Sequence, residues 1–223
     1  MQIQYLILDA DGTLFDSMPA YARIFSSSLA RPPYHIPLEE SSRFYLSTAG
    51  APLVEQYGEI LRQHHKPTEA CSTLVQEFFQ EVENADIPAF QDVLEMLPRL
   101  SRYTRCLVTG TATAITQRRL ERTGLSAHIE YVYGFDSQCK TKEEAFVRMR
   151  EIFGRDFTRN AAYVGDGITD MQLAVREGAI PIGRIGVFSE RALRSGGAQH
   201  VIPDFFALEK LLQKFSSSAD SGR

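Results

Sequence analysis

The 223-residue sequence predicts an α/β protein: a Rossmann-like parallel sheet core with helices on both faces, plus one inserted helical subdomain. Apolar runs of strand length recur at residues 3–8, 106–108, 129–133, 161–164 and 179–182, with a weaker candidate at 200–202. Helix-forming segments separate the later runs, and strands that alternate with helices form parallel sheets covered on both faces. One long stretch, residues 16–88, carries helical spacing and no convincing strand.

The first run leads directly into Asp9-Ala10-Asp11-Gly12-Thr13-Leu14-Phe15-Asp16-Ser17. Side chains at i and i+2 share a face of a strand, so Asp9 and Asp11 can converge as the chain turns at Gly12. The insertion follows, a span of 88 − 16 = 72 residues, too long for a single crossover. Within it Leu53, Tyr57, Ile60 and Leu61 fall at helical spacing, as do Leu74, Val75, Phe78, Phe79 and Val82. Pro32-Pro33 and Pro37 mark an internal turn, and Ile87-Pro88 reads as the return hinge. The run at 106–108 is followed by Thr109-Gly110-Thr111 and by a helix over 113–122 that closes at Gly124. After the run at 129–133, Cys139-Lys140-Thr141-Lys142 opens a helix that closes at Gly154. The run at 161–164 ends in Gly165-Asp166-Gly167-Ile168-Thr169-Asp170. The implied organisation is a core of residues 1–15 and 89–215, a helical insertion of 16–88, and a Ser-rich, polar, poorly ordered tail of 216–223.

A formal net charge of −4 offers no long-range attraction for nucleic acid or anionic lipid, so a polyanionic partner is disfavoured, while a small anion in a local positive pocket stays open. No apolar run reaches membrane-spanning length and the first residues lack a leader pattern, so the expected location is the cytoplasm, as monomer or homodimer. Cys71, Cys106 and Cys139 are odd in number and without close metal-ligand spacing, so they read as reduced structural thiols.

In an open parallel sheet, chemistry gathers beyond the carboxyl ends of the strands. The residues there are two acids after the first run, hydroxyls and glycine at Thr109, Gly110 and Thr111, a base at Lys140, and acids at Asp166 and Asp170. Phosphoryl transfer needs such a set. A carboxylate attacks phosphorus, a second carboxylate trades protons, a hydroxyl and backbone N–H groups hold the oxygens, an ammonium neutralises them, and further carboxylates hold a divalent cation.

The order of these pieces resembles the haloacid dehalogenase superfamily over nearly the whole chain, with a first loop similar to its phosphoglycolate phosphatase branch through Leu14-Phe15-Asp16-Ser17. Residues 9–14 resemble its first motif, Leu107-Val108-Thr109-Gly110 its second, Lys140 its third and residues 165–170 its fourth. The resemblance implies Asp9 as nucleophile, Asp11 as general acid and base, Thr109 and Lys140 as phosphate ligands, and Mg2+ held by Asp9, Asp166, Asp170 and the Asp11 carbonyl. Lys140 is followed by Thr141 and Lys142 where the family often has proline, so either lysine could serve. Lys140 is favoured because an aromatic residue commonly lies six positions on, and 140 + 6 is Phe146.

Between Thr109 and Lys140 there are 140 − 109 = 31 positions, too few for a further domain, so the insertion at 16–88 is the expected cap. Arg43 and residues 47–52, with Thr48 and Gly50, are the candidate selecting surface. The expected activity is a Mg2+-dependent phosphatase for a small phosphorylated metabolite. The alternatives are a phosphomutase or phosphonate-cleaving relative, a response-regulator-like switch, and a silent binding module.

Overall fold

The computed structural model describes residues 2–136 and 139–220, with side chains to residue 216. Six strands form one sheet: β1 (Tyr5–Leu8), β2 (Thr104–Ala112), β3 (Tyr131–Phe135), β4 (Ala161–Gly165), β5 (Ile180–Arg184) and β6 (His200–Ile202). Their order is β3-β2-β1-β4-β5-β6, and every pairing is parallel. The apolar runs mark these strands to within two residues at most ends. The exception is β2, which extends four residues beyond Val108 through Thr109, Gly110 and Thr111.

The register sets what lies at the carboxyl edge. Leu8 of β1 stands opposite Leu107 of β2 and Val164 of β4. One or two residues further along, Asp9, Thr109 and Asp166 therefore leave three adjacent strands at one level. Below them the core is continuous. Ile7, Cys106, Val108 and Tyr163 pack with Ala145, Phe146 and Met149 of the helix Lys142–Phe153. Burying a side chain the size of Phe146 contributes about 2 kcal/mol.

The chain divides into two compact units, one of Met1–Phe15 with Pro88–Arg223 and the other Asp16–Ile87. The second unit is helical: α1 (Met18–Ala30), α2 (Leu38–Ser47), α3 (Leu53–Gln63) and α4 (Cys71–Asn84). Its interior is aromatic. Phe25 stacks on Tyr57 at 4.4 Å between ring centroids, and Tyr21 meets Phe78 edge-on at 5.7 Å. Leu74, Phe78 and Val82, spaced by four, form the buried stripe of α4, whereas Phe79 is exposed because it lies one step around the helix.

In the first unit the remaining helices are α5 (Gln91–Met96), α6 (Thr113–Thr123), α7 (Lys142–Phe153), α8 (Ile168–Glu177), α9 (Glu190–Ser195) and α10 (Phe205–Asp220). The expected helices over 113–122 and 142–153 are present as α6 and α7, and Gly124 takes a left-handed conformation at the end of α6. The α10 backbone continues through residues 216–220, within the segment expected as the tail, and Phe205, Leu208 and Leu212 dock one face of that helix. Residues 221–223 of that expected tail lie outside the described residues. Among the described residues no helix is long and apolar enough to cross a membrane.

Candidate active site

The loop leaving β1 folds tightly on itself. The Asp9 N–H donates to Val164 O at 2.9 Å, still in ladder fashion, and then the Ala10 carbonyl accepts from the N–H groups of Thr13, Leu14 and Phe15. Gly12 donates to Phe15 O at 2.8 Å, and Phe90 donates to Leu14 O at 3.0 Å, which ties the loop to the returning chain. Gly12 has φ +77°, and a Cβ there would lie 2.1 Å from an Asp166 carboxylate oxygen, so only glycine lets the loop pass over that side chain. From the end of β5 the buried Arg184 donates to the Thr13 carbonyl at 3.1 Å and lies 4.0 Å over the Phe90 ring.

Asp9 is buried, and its Oδ1 accepts from Lys142 Nζ at 2.6 Å. The same ammonium donates to Asp170 Oδ1 at 2.7 Å, and the Tyr163 hydroxyl donates to that oxygen at 2.9 Å. The other Asp170 oxygen accepts from Gly167 N–H at 3.0 Å, which caps the start of α8. Asp9, Asp166 and Asp170 each offer a carboxylate oxygen within 4.8 Å of the other two. Asp11 turns to different partners. Thr111 Oγ1 donates to its Oδ2 at 2.6 Å, and the Arg119 guanidinium donates to its Oδ1 at 3.1 Å. Of the two acids of the first loop, Asp9 is thus paired with Lys142 and Asp11 with Arg119.

The geometry favours Lys142 over the expected Lys140: Lys142 reaches Asp9, and the Lys140 side chain is exposed. The reason lies in how α7 begins. Thr141 is the N-cap and accepts from Glu144 N–H, while the Glu144 carboxylate accepts the Lys140 N–H, so Lys140 stands outside the helix and Lys142 is its first residue. Phe146, buried against Tyr163, lies one turn beyond Lys142 on the same face, and that face looks at the sheet. The aromatic residue marks the helix face that Lys142, rather than Lys140, shares.

Thr109 is buried at the edge, and its Oγ1 accepts from Thr111 N–H at 3.1 Å. The segment is a bulge. Val108 pairs with Tyr133 and Ala112 with Phe135, so four steps of β2 oppose two of β3. Bulging turns the Thr109 to Thr111 backbone out of the ladder and toward the edge. At Gly110 an added Cβ would meet nothing within 4 Å, so the space beside it is open. Arg119 and Tyr163 carry no site signal in the sequence, and Thr111 appears there only as a strand-end hydroxyl with no role of its own. Thr111 carried the one available signal, as a hydroxyl two residues beyond Thr109. In the helical unit, Arg43 is exposed and pairs with Glu39 at 3.8 Å. The Thr48 hydroxyl lies 2.8 Å from Phe44 O and 3.0 Å from Gln56 Oε1, two acceptors for its one proton, and Gly50 at φ +92° completes the turn that Gln56 braces through Ala51 O.

Charge crowding governs the electrostatics. Burial, and then the Asp170 carboxylate, push Asp166 up to about 7. Asp9 is raised well above the usual carboxylate range by burial and by Asp170 and Asp166, against the pull of Lys142. Burial opposes the Lys142 ammonium, but Asp170 and Asp9 more than offset it, so its pKa is raised well above the lysine norm. Three carboxylate oxygens in one small volume are hard donors of the kind that suit Mg2+. A divalent cation there would relieve the repulsion that burial creates, so the residues fit the metal that the sequence implies.

Fold and site together define an α/β enzyme core with a carboxylate, an ammonium and hydroxyls at the carboxyl edge of a parallel sheet. The profile of the family described as haloacid dehalogenase-like hydrolase matches residues 6–183, and the chain belongs to that family. Solved structures agree in fold. A haloacid dehalogenase-like family hydrolase from Streptococcus pneumoniae superimposes with TM-score 0.78 at 18% identity, covering 94% of this chain and 98% of that one. A predicted phosphoglycolate phosphatase from Haemophilus somnus gives 0.77 at 19% identity over 95% and 98%. A family hydrolase from Deinococcus radiodurans, with bound phosphate and sodium, gives 0.71 at 18% identity over 95% and 96%. No curated protein matches the chain at a significant level.

Proposed function

We propose that this hydrolase is a phosphatase that cleaves a small phosphorylated metabolite, of phosphoglycolate or sugar phosphate type, through an aspartyl-phosphate on Asp9. The observation that carries the reading is the buried Asp9 carboxylate, held by Lys142 beside Asp166 and Asp170 at the edge of the sheet. The Deinococcus radiodurans structure contains bound phosphate, and the Haemophilus somnus relative is described as a predicted phosphoglycolate phosphatase, which supports the substrate class.

In the first step a carboxylate oxygen of Asp9 attacks phosphorus. The phosphorus–oxygen bond to the leaving group breaks, and Asp11 gives its proton to the departing oxygen. In the second step Asp11 takes a proton from water as the water oxygen attacks phosphorus, and Asp9 is released with inorganic phosphate. Lys142 offsets charge on the transferring group and orients Asp9, and Thr109 with the Gly110 backbone holds its oxygens. Mg2+ held by Asp9, Asp166 and Asp170 would neutralise phosphoryl charge when bound.

Hydrolysis of p-nitrophenyl phosphate in Mg2+, its loss in chelator and its recovery on adding Mg2+ back test the activity. Asp9→Asn keeps the shape and cannot attack phosphorus, so turnover should fall by on the order of a hundredfold or more with the melting temperature preserved. A folded Asp9→Asn protein working at the parent rate would refute the nucleophile.

A further inference from the structure

We propose that Arg119 is a positioning residue: from α6, together with Thr111, it holds the Asp11 carboxylate in the orientation that proton transfer to the leaving group requires. The proposal rests on the reading of Asp11 as acid and base. Arg119 is buried, with a side chain 6% exposed, and an arginine is taken out of water at a cost unless a charged partner answers it. Its guanidinium answers Asp11 Oδ1 at 3.1 Å, and Thr111 Oγ1 answers Oδ2 at 2.6 Å. Contacts to both oxygens from two different elements, the β2 bulge and α6, fix the rotation of the carboxylate as well as its position. A single contact would leave it free to turn.

The arrangement also separates the two acids of the first loop. Asp9 is drawn to Lys142 and Asp11 to Arg119. Arg119 lies at the end of the second turn of α6, on the face that also buries Ile115, Thr116 and Leu120. Its reach into the edge of the sheet serves Asp11, and misplacement of a reacting group by about 1 Å can cost on the order of a hundredfold in rate.

Leaving-group dependence separates positioning from a structural role. Phenyl phosphate and p-nitrophenyl phosphate are nearly the same shape, but the phenolate leaving group is the more basic and depends more on a donated proton. In kcat/KM, which reports the first bond-breaking step, Arg119→Met should lose roughly tenfold more on phenyl phosphate than on p-nitrophenyl phosphate, and Arg119→Lys should recover part of that difference. In an Asp11→Asn background Arg119→Met should change kcat/KM by less than about twofold, since its target is already disabled. Equal loss on both esters, or a full further loss in the Asp11→Asn background, would overturn the proposal. If Asp11→Asn itself keeps the parent selectivity between the two esters, the reading of Asp11 fails, and that result is visible without any Arg119 variant. Should Arg119→Met not fold, Arg119→Lys carries the same comparison.

Discussion

Asp166 is the residue where burial and charge are most directly measurable. Its carboxyl titrates near 7 in the fold against 3.8 as an ordinary carboxyl, so the folded chain holds a proton that the unfolded chain has already lost between those values. A raised pKa of this kind contributes stability that is complete below about 4 and is lost as pH rises through about 7. In chelator, the melting temperature should therefore fall between pH 5 and pH 8 by more in the parent than in Asp166→Asn, and Mg2+ should remove most of the difference. A parent and an Asp166→Asn variant with parallel pH profiles in chelator would contradict this. The two lysines make a second residue-scale test. Lys142→Ala should depress every phosphate ester by on the order of a hundredfold, because on the proposed mechanism the ammonium that holds Asp9 also offsets the charge of the transferring group, which all substrates share. Lys140→Ala should stay within about twofold of the parent in steady-state assays, since its side chain is exposed.

Among the elements, β2 does the most to build the site. Its bulge presents Thr109 to the edge and turns Thr111 onto Asp11, and it exists only because the facing strand yields space. Gly134 of β3 provides that space. A Cβ there would lie 2.7 Å from Thr111 O and equally close to the Thr113 backbone, and backbone atoms cannot step aside as a flexible side chain can. Gly134→Ala should cost about 2 kcal/mol in urea unfolding and should lower kcat/KM as well, because relief of the clash displaces Thr109 and Thr111. A destabilised variant with parent kinetics would show that the bulge shifts without moving the site. The start of α7 is a second case in which an element decides chemistry. A cap at Thr141 sets which lysine is the first helical residue, and so which one looks at the sheet.

For the molecule as a whole, the division into a sheet unit and a helical unit suggests a division of labour. On the proposed mechanism the sheet edge recognises only the phosphoryl group, common to every substrate, so we propose that discrimination falls to the helical unit. Arg43→Ala and Thr48→Ala should change relative kcat/KM across a panel of phosphorylated metabolites by more than they change turnover of p-nitrophenyl phosphate. Uniform loss on all substrates would place selection elsewhere. Thr48→Ala carries a further expectation, since it removes a bond to Gln56 that braces the turn after α2, and it should lower the melting temperature slightly where Arg43→Ala does not.

The sequence by itself determined the alternation of strands and helices, the strand ends at which chemistry would gather, and the acids Asp9, Asp11, Asp166 and Asp170 that gather there. These are local properties: apolar runs mark strands, and a carboxylate directly after a strand lies at the sheet's edge whatever else the chain does. Tertiary structure alone decided the partners. Arg119 reaches Asp11 across 108 positions, and Lys142 reaches Asp9 across 133. No periodicity encodes such a pairing, because it depends on strand register, on a bulge and on a helix cap acting together. Tyr163 shows the same limit. In the sequence it is one apolar residue of a buried strand, and only the packing of α7 and α8 over that strand turns its hydroxyl into a donor to Asp170.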